Sequence, residues 1–182
     1  MNKVLLIMGS PRVQGNTFAL YSYFKGILDS RGIKYDFLEV GLEKNLHPCT
    51  HCKACYKIGH CFQKDSFSEV LSRFKSYEYV VWFTPIYFFQ LPSQSKAFLD
   101  RLYSEQDWWD NKKFFVVAVS GSQGYFGGAD VLEETFIRSS EYCGFEYLGM
   151  YNKVTNDEIL EVNSEDSFAL NSIVDAIKEG LQ

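Results

Sequence analysis

Gly9-Ser10-Pro11-Arg12-Val13-Gln14-Gly15-Asn16-Thr17 joins two stretches of opposite character. Before it, Val4-Leu5-Leu6-Ile7-Met8 is short, apolar and rich in branched residues, which predicts a fully buried strand. After it, Leu20, Phe24, Ile27 and Leu28 recur at helical spacing between Phe18 and Leu28. A strand-to-helix turn aims free backbone N–H groups and the positive end of a helix dipole at one point, which makes an anion site. Ser10 and Thr17 add hydroxyls, Asn16 an amide and Arg12 a full charge. A well-capped turn would need fewer donors. The stretch lacks the Gly-Lys-Ser/Thr ending of a nucleoside-triphosphate loop, and Gly9 and Gly15 do not fit G-x-G-x-x-G. A single terminal phosphate is the anion that fits.

The wider composition limits the partners. The chain has 182 residues, enough to bury a proper core, and reads as one domain over 1–182. Its net charge of −5, with no basic cluster, argues against nucleic acid and anionic membranes. No apolar run approaches membrane-spanning length, and the first strand begins without a signal peptide, so a cytoplasmic location is expected. Sixteen Phe and twelve Tyr are an excess that suits a planar ligand, an oligomer interface or core filling.

Outward from the first loop, strands and helices alternate. Strands are expected at Lys34–Val40, Tyr79–Phe83, Phe114–Val119 and Phe145–Tyr151. Helices are expected from an Asp65 cap through Val70, Leu71 and Phe74, from Ser93 to Tyr103, and through Val131, Leu132, Thr135 and Phe136. A closing helix places Leu170, Ile173, Val174 and Ile177 on one face. Pro85 is expected to end pairing of the third strand, since it has no N–H to donate. This pattern predicts an α/β three-layer sandwich with a five-stranded parallel sheet in the flavodoxin-like order 2-1-3-4-5. Ligand then belongs beyond the C-terminal ends of the strands, where the unusual loops after strands one, three and four all fall.

Two of those loops add chemistry. Pro85-Ile86-Tyr87-Phe88-Phe89 offers aromatics that can bracket a planar ring, or alternatively staple the next helix. Ser120-Gly121-Ser122-Gln123-Gly124-Tyr125-Phe126-Gly127-Gly128 is glycine-rich, which lets backbone N–H groups approach a ligand closely. The run G-S-P-R-x-x-G-N-T resembles the phosphate loop of the NADPH-dependent FMN reductase family of flavodoxin-like proteins. Lys96-Ala97-Phe98-Leu99-Asp100-Arg101 is similar to that family's K-x-F-x-D-R helix, where adjacent Asp100 and Arg101 point apart and suit an ion pair or cap. The resemblance covers Lys3 to about Tyr151. It implies FMN held by Ser10, Arg12, Gln14, Gly15, Asn16 and Thr17 at the phosphate. Pro85, Ile86, Tyr87, Phe88 and Phe89 would lie along the ring, with Ser120, Gly121, Gln123, Gly124 and Tyr125 at its pyrimidine edge.

Between about 41 and 64 the periodicity stops, and Cys49-x2-Cys52-x2-Cys55-x5-Cys61 appears. In a reducing compartment four close cysteines suggest metal or redox chemistry rather than a disulfide scaffold. The spacing is similar to the compact motif of iron–sulfur flavoproteins in the same family, which implies a [4Fe–4S] cluster on Cys49, Cys52, Cys55 and Cys61. Zinc also accepts four thiolates, and packed or reactive thiols without metal are the third reading. His47, His51 and His60 read as loop surface, with His51 the one candidate ligand; Cys143 reads as a small core residue.

The expected activity is an FMN-dependent NAD(P)H oxidoreductase that passes electrons to a small acceptor such as a flavin, quinone or azo compound. No classical acid–base pair is required, and no residue is assigned a catalytic role. The resemblance implies a homodimer or homotetramer, with Trp108-Trp109 as a candidate contact or a partly buried pair. The alternatives are an electron-transfer iron–sulfur flavoprotein and a metal- or redox-sensing cysteine protein.

Overall fold

The computed structural model describes residues 3–104, 109–155 and 161–181. Five strands, β1 (Val4–Met8), β2 (Tyr35–Leu38), β3 (Tyr79–Pro85), β4 (Lys113–Ser120) and β5 (Glu146–Val154), form a parallel sheet in the order β2-β1-β3-β4-β5. This is the flavodoxin-like order. The helices are α1 (Asn16–Ser30), α2 (Cys55–Ile58), α3 (Phe67–Phe74), α4 (Ser93–Leu102), α5 (Ala129–Cys143) and α6 (Ser164–Gly180).

Strand side chains alternate between faces, so the sheet divides the core in two. Val4, Leu6, Met8, Val81 and Phe83 meet α1 and α6 through Leu20, Phe24, Ile173 and Val174. Leu5, Ile7, Val80, Trp82, Phe114 and Val116 meet α3, α4 and α5 through Phe74, Phe98 and Phe136. Both faces are covered, which is why the three central strands read as continuous apolar runs. Among the described residues, no helix is long and apolar enough to cross a membrane.

Several boundaries differ from the sequence reading for identifiable reasons. β2 is shorter than Lys34–Val40, because Val40 turns into a 3-10 turn at Val40–Leu42. β3 runs through Pro85, which stays in register with Val119. Phe83 O accepts from Gly9 and Ile86 N donates to Val119 O, so odd residues of β3 face β1 and even ones face β4. The donor missing at Pro85 therefore falls on the β1 side, beyond Met8 where β1 has ended. β5 extends to Val154 and carries a bulge: Phe114 pairs with Tyr147 but Phe115 with Gly149. Gly149 has φ 128°, a backbone that side chains resist. Trp109 is buried and stacks on Phe145 at 4.9 Å, so it belongs to the core rather than to a contact surface. Trp108 lies outside the described residues.

Candidate functional site

The three loops singled out by sequence leave the C-terminal ends of adjacent strands β1, β3 and β4. In the first, Gly9 N–H still pairs with Phe83 O at 2.7 Å, and the chain then turns away from the sheet. Ser10 and Thr17 are buried, while Arg12, Val13 and Gln14 are exposed. Ser10 Oγ accepts the Arg12 N–H at 3.2 Å, which folds the loop back on itself. Gly15 opens α1 with φ 142° and ψ −173°, and no side chain caps the helix. The N–H groups of its first turn carry no side-chain acceptor, and that turn holds no acidic residue. Both features suit an anion. A side chain at Gly41 would collide with the Ser10 backbone, so the segment after β2 is laid directly against this loop.

The loop after β3 is a tight turn in which Tyr87 and Gln90 exchange backbone hydrogen bonds of 2.9 and 3.1 Å. Its central residues, Phe88 (φ 47°) and Phe89 (φ 69°), both occupy the left-handed region. That pairing is the geometry of a type I′ turn, normally given to Asn and Gly. Two bulky residues there are strained, and such strain concentrates at functional sites. Phe88 is 94% exposed. In the loop after β4, Ser120 Oγ donates to Ser122 O at 3.1 Å, and Gly124–Gly127 forms a 3-10 turn. Tyr125 and Phe126 stand in solvent, as do Gly121, Gln123 and Gly124. A Cβ on Gly128 would lie 2.7 Å from Phe89 Cα, so a glycine at that position lets the second and third loops touch. Pro85 is buried, Ile86 half-buried and Tyr87 exposed.

Sequence reading missed the contribution of β5. Asn16 donates one of its amide hydrogens to Thr155 Oγ1 at 3.0 Å, and Thr155 N–H bonds Ser120 O at 2.9 Å. Asn152 Nδ2 donates to Ser120 Oγ at 3.0 Å. The end of β5 thus ties the first loop to the third. Its polar tail, Asn152-Lys153-Val154-Thr155, was the available signal.

The cysteine segment builds a second feature. Cys49, Cys52, Cys55 and Cys61 all line one cavity of about 50 Å³, which Arg101 and Tyr103 at the end of α4 also line. Asp65 accepts the N–H groups of His47 and Phe67 at 2.9 Å each and forms a buried ion pair with Arg101. Burial alone would push the Asp65 carboxyl up, but the Arg101 guanidinium and the two N–H groups hold it below the usual carboxylate range. Arg101 further donates to His47 O at 3.0 Å and to Cys61 Sγ at 3.3 Å, and stacks 4.3 Å from the Phe67 ring centre. Asp100 pairs instead with Lys96, one turn back. His51 and Lys53, at φ 54° and 60°, flank Cys52, and His51 N–H reaches Cys49 Sγ at 3.4 Å. His47, His51 and His60 are exposed, and Cys143 is partly buried against the core. Among the described residues no three His, Cys, Asp or Glu side chains converge as a metal-holding group.

Residues 2–144 match the NADPH-dependent FMN reductase family. The chain belongs to that family. Among curated relatives, an iron–sulfur flavoprotein of Methanocaldococcus jannaschii is 33% identical over 54% of this chain and 51% of its own. An iron–sulfur flavoprotein of Archaeoglobus fulgidus is 32% identical over 69% of this chain and 64% of its own. The chain therefore spans about half to two thirds of the length of these relatives. A solved FMN-dependent NADH-azoreductase of Bacillus anthracis, in complex with FMN, superposes with a TM-score of 0.69. That comparison covers 98% of this chain and 99% of the azoreductase at 15% identity, a likeness of fold.

Within the FMN reductase family, the donor set of the cysteine segment suits soft-metal chemistry. Four thiols line one cavity, the left-handed His51 turns its backbone N–H toward Cys49 Sγ, and Arg101 Nε is buried with no acceptor. These features fit a sulfur-ligated cluster; ligation would require the segment to draw its thiols closer together.

Proposed function

We propose that the chain is an FMN-dependent NAD(P)H oxidoreductase that delivers electrons to a small acceptor such as a flavin, quinone or azo compound. The observation that carries this reading is the uncapped, donor-rich start of α1 on the same sheet edge as two aromatic, glycine-bearing loops. The bound flavin would supply the hydride and electron chemistry. The chain's own part is binding and electrostatics. The first turn of α1 and the Ser10 and Thr17 hydroxyls are assigned to the phosphate, with Arg12 as its counter-charge. Tyr87, Phe88 and Tyr125 are assigned to the ring faces and the substrate opening. Backbone N–H groups of Ser120–Tyr125 are assigned to the pyrimidine edge, where they would stabilise negative charge on the reduced ring. A homodimer or homotetramer belongs to the same reading, and light scattering of the purified protein tests it.

The test starts from FMN-loaded protein mixed anaerobically with NADH or NADPH. Flavin absorbance is expected to bleach before any acceptor is added, and to return when a quinone is added. No bleaching with either nucleotide would overturn the reductase reading. Arg12→Glu, an exposed change, is expected to weaken FMN binding roughly tenfold or more with the melting temperature unmoved.

A second reading is supported by the four thiols around one cavity. Here the same fold is an iron–sulfur flavoprotein, with a [4Fe–4S] cluster on Cys49, Cys52, Cys55 and Cys61 supplying one-electron chemistry. Anaerobic reconstitution followed by iron and sulfide assay tests it, with Cys52→Ser as control. Wild type that takes up no more iron than the variant excludes it.

A further inference from the structure

We propose that Arg101 is a positioning residue for Cys61 and sets the reduction potential of the iron–sulfur group that the four cysteines would hold. The inference rests on the iron–sulfur reading above and deepens it.

Arg101 stands apart from the other cations near the cysteine segment because it is inside the protein. Its side chain is 1% exposed, and that of Asp65 is fully buried. A guanidinium this deep needs its donors filled. Nη1 is shared by Asp65 Oδ2 and His47 O, and Nη2 is given to Cys61 Sγ. Nε remains, buried and without an acceptor, on a side chain that lines the thiol cavity. A structural ion pair alone explains Nη1. It explains neither a donor spent on a sulfur nor a second donor left buried on a side chain that lines the thiol cavity. Both are accounted for when the cavity holds sulfur carrying negative charge, since thiolates and bridging sulfides accept N–H bonds that thiols accept poorly.

The geometry also makes the four thiols unequal. Cys61 receives a charged donor on a rigid helix, Cys49 receives a neutral backbone N–H within its own loop, and neither contact involves Cys52 or Cys55. Arg101 is fixed by α4 on one side and by Asp65 and His47 on the other, so it brings residues 47, 61 and 65 to one point. It can hold Cys61 in place before any metal arrives.

Adding one electron to the cluster adds one negative charge, with no bond made or broken in the protein. A buried cation and N–H donors near a ligand sulfur favour the more negative state and raise the potential. The neighbouring Asp65 carboxylate opposes that effect. Removing each charge should therefore move the potential in opposite directions, which a packing role would not do.

The experiment compares wild type, Asp65→Asn, and the double variant Asp65→Asn with Arg101→Gln. The double variant removes the whole ion pair and avoids leaving a buried charge alone. Each is reconstituted anaerobically with ferrous iron and sulfide. Iron, sulfide, melting temperature and the EPR-monitored midpoint potential are then measured. Asp65→Asn is expected above wild type. The double variant is expected below Asp65→Asn by at least a tenfold change in the oxidised-to-reduced ratio at fixed potential, or 59 mV for one electron. A double variant that stays folded but no longer retains iron also supports the positioning role. Equal potentials in two loaded, folded variants overturn the proposal and leave the cluster standing. Wild type that takes up no iron overturns both. Where the double variant does not fold, Arg101→Lys replaces it: a cation stays for Asp65 and only the forked donor to Cys61 is lost, so iron retained as tightly as in wild type at an unchanged potential overturns the positioning of Cys61.

Discussion

Gly41 has no space for even a methyl group, because a Cβ there would run into the Ser10 carbonyl. Backbone cannot swing aside as a side-chain tip does, so the first loop itself must move. Gly41→Ala is expected to cost about 1–3 kcal/mol in urea unfolding. It should also weaken FMN retention, although the residue lies outside every loop assigned to the flavin. Gly26→Ala, with nothing within 4 Å of the new methyl, is the matched control and should stabilise α1 by up to about 1 kcal/mol. The role of Gly41 was illegible from sequence. Its neighbour Ser10 is thirty-one positions away, and no local pattern marks a glycine required by contact. Arg101 was half legible: the K-x-F-x-D-R run pointed to an ion pair, but Asp65 and Cys61 are joined to it only by the folded chain.

Among the elements, the strained turn after β3 carries the clearest trade between stability and use. Left-handed backbone at a non-glycine residue costs roughly 1–2 kcal/mol, and Phe88 pays it while 94% exposed. Phe88→Asn keeps the turn type, loses almost no buried surface, and is expected to stabilise the fold by about 1 kcal/mol in thermal or urea denaturation. The same variant should hold FMN less tightly, as read by flavin released on dilution. A gain in stability with unchanged FMN affinity would show that the ring serves no ligand. β1, β3 and β4 could be read from sequence because burial on both faces leaves an unbroken apolar run. β5 was read three residues too short at its C-terminal end, where Asn152 and Lys153 interrupt the apolar run. The bulge at Leu148–Gly149 puts Tyr147 and Met150 on one face, three positions apart, so the two-residue alternation that marks a strand is lost there. The residues past the bulge, Asn152 and Thr155, are the ones that brace the first and third loops.

At the scale of the molecule, two buried aspartates bind distant segments together. Asp65 joins the cysteine segment to α4, and Asp166 joins β5 to α6 through Tyr151 at 2.5 Å, Lys153 and the Asn163 N–H. Burial would raise Asp166, yet these partners hold its carboxyl below the usual range, as Arg101 does for Asp65. Both pKa values are lower in the folded protein, so their stabilisation is complete above the ordinary aspartate value of about 3.9. It is lost as the pH falls from there through the depressed folded values. Unfolding free energy is expected to be flat from about pH 5 to 7 and to drop steeply below about pH 4, with a shallower drop in Asp166→Asn. Denaturant titrations across that range check it. The parallel sheet has a further, practical consequence. Lys3 O accepts the Tyr79 N–H at the start of β3, and Gly180 packs so closely on Tyr79 that a Cβ there would strike its hydroxyl. Both ends of the described chain thus share the pole opposite the three loops. A linker fixed at that pole would mount the molecule on an electrode with the loops proposed to hold flavin turned outward, so that every immobilised copy has the same orientation.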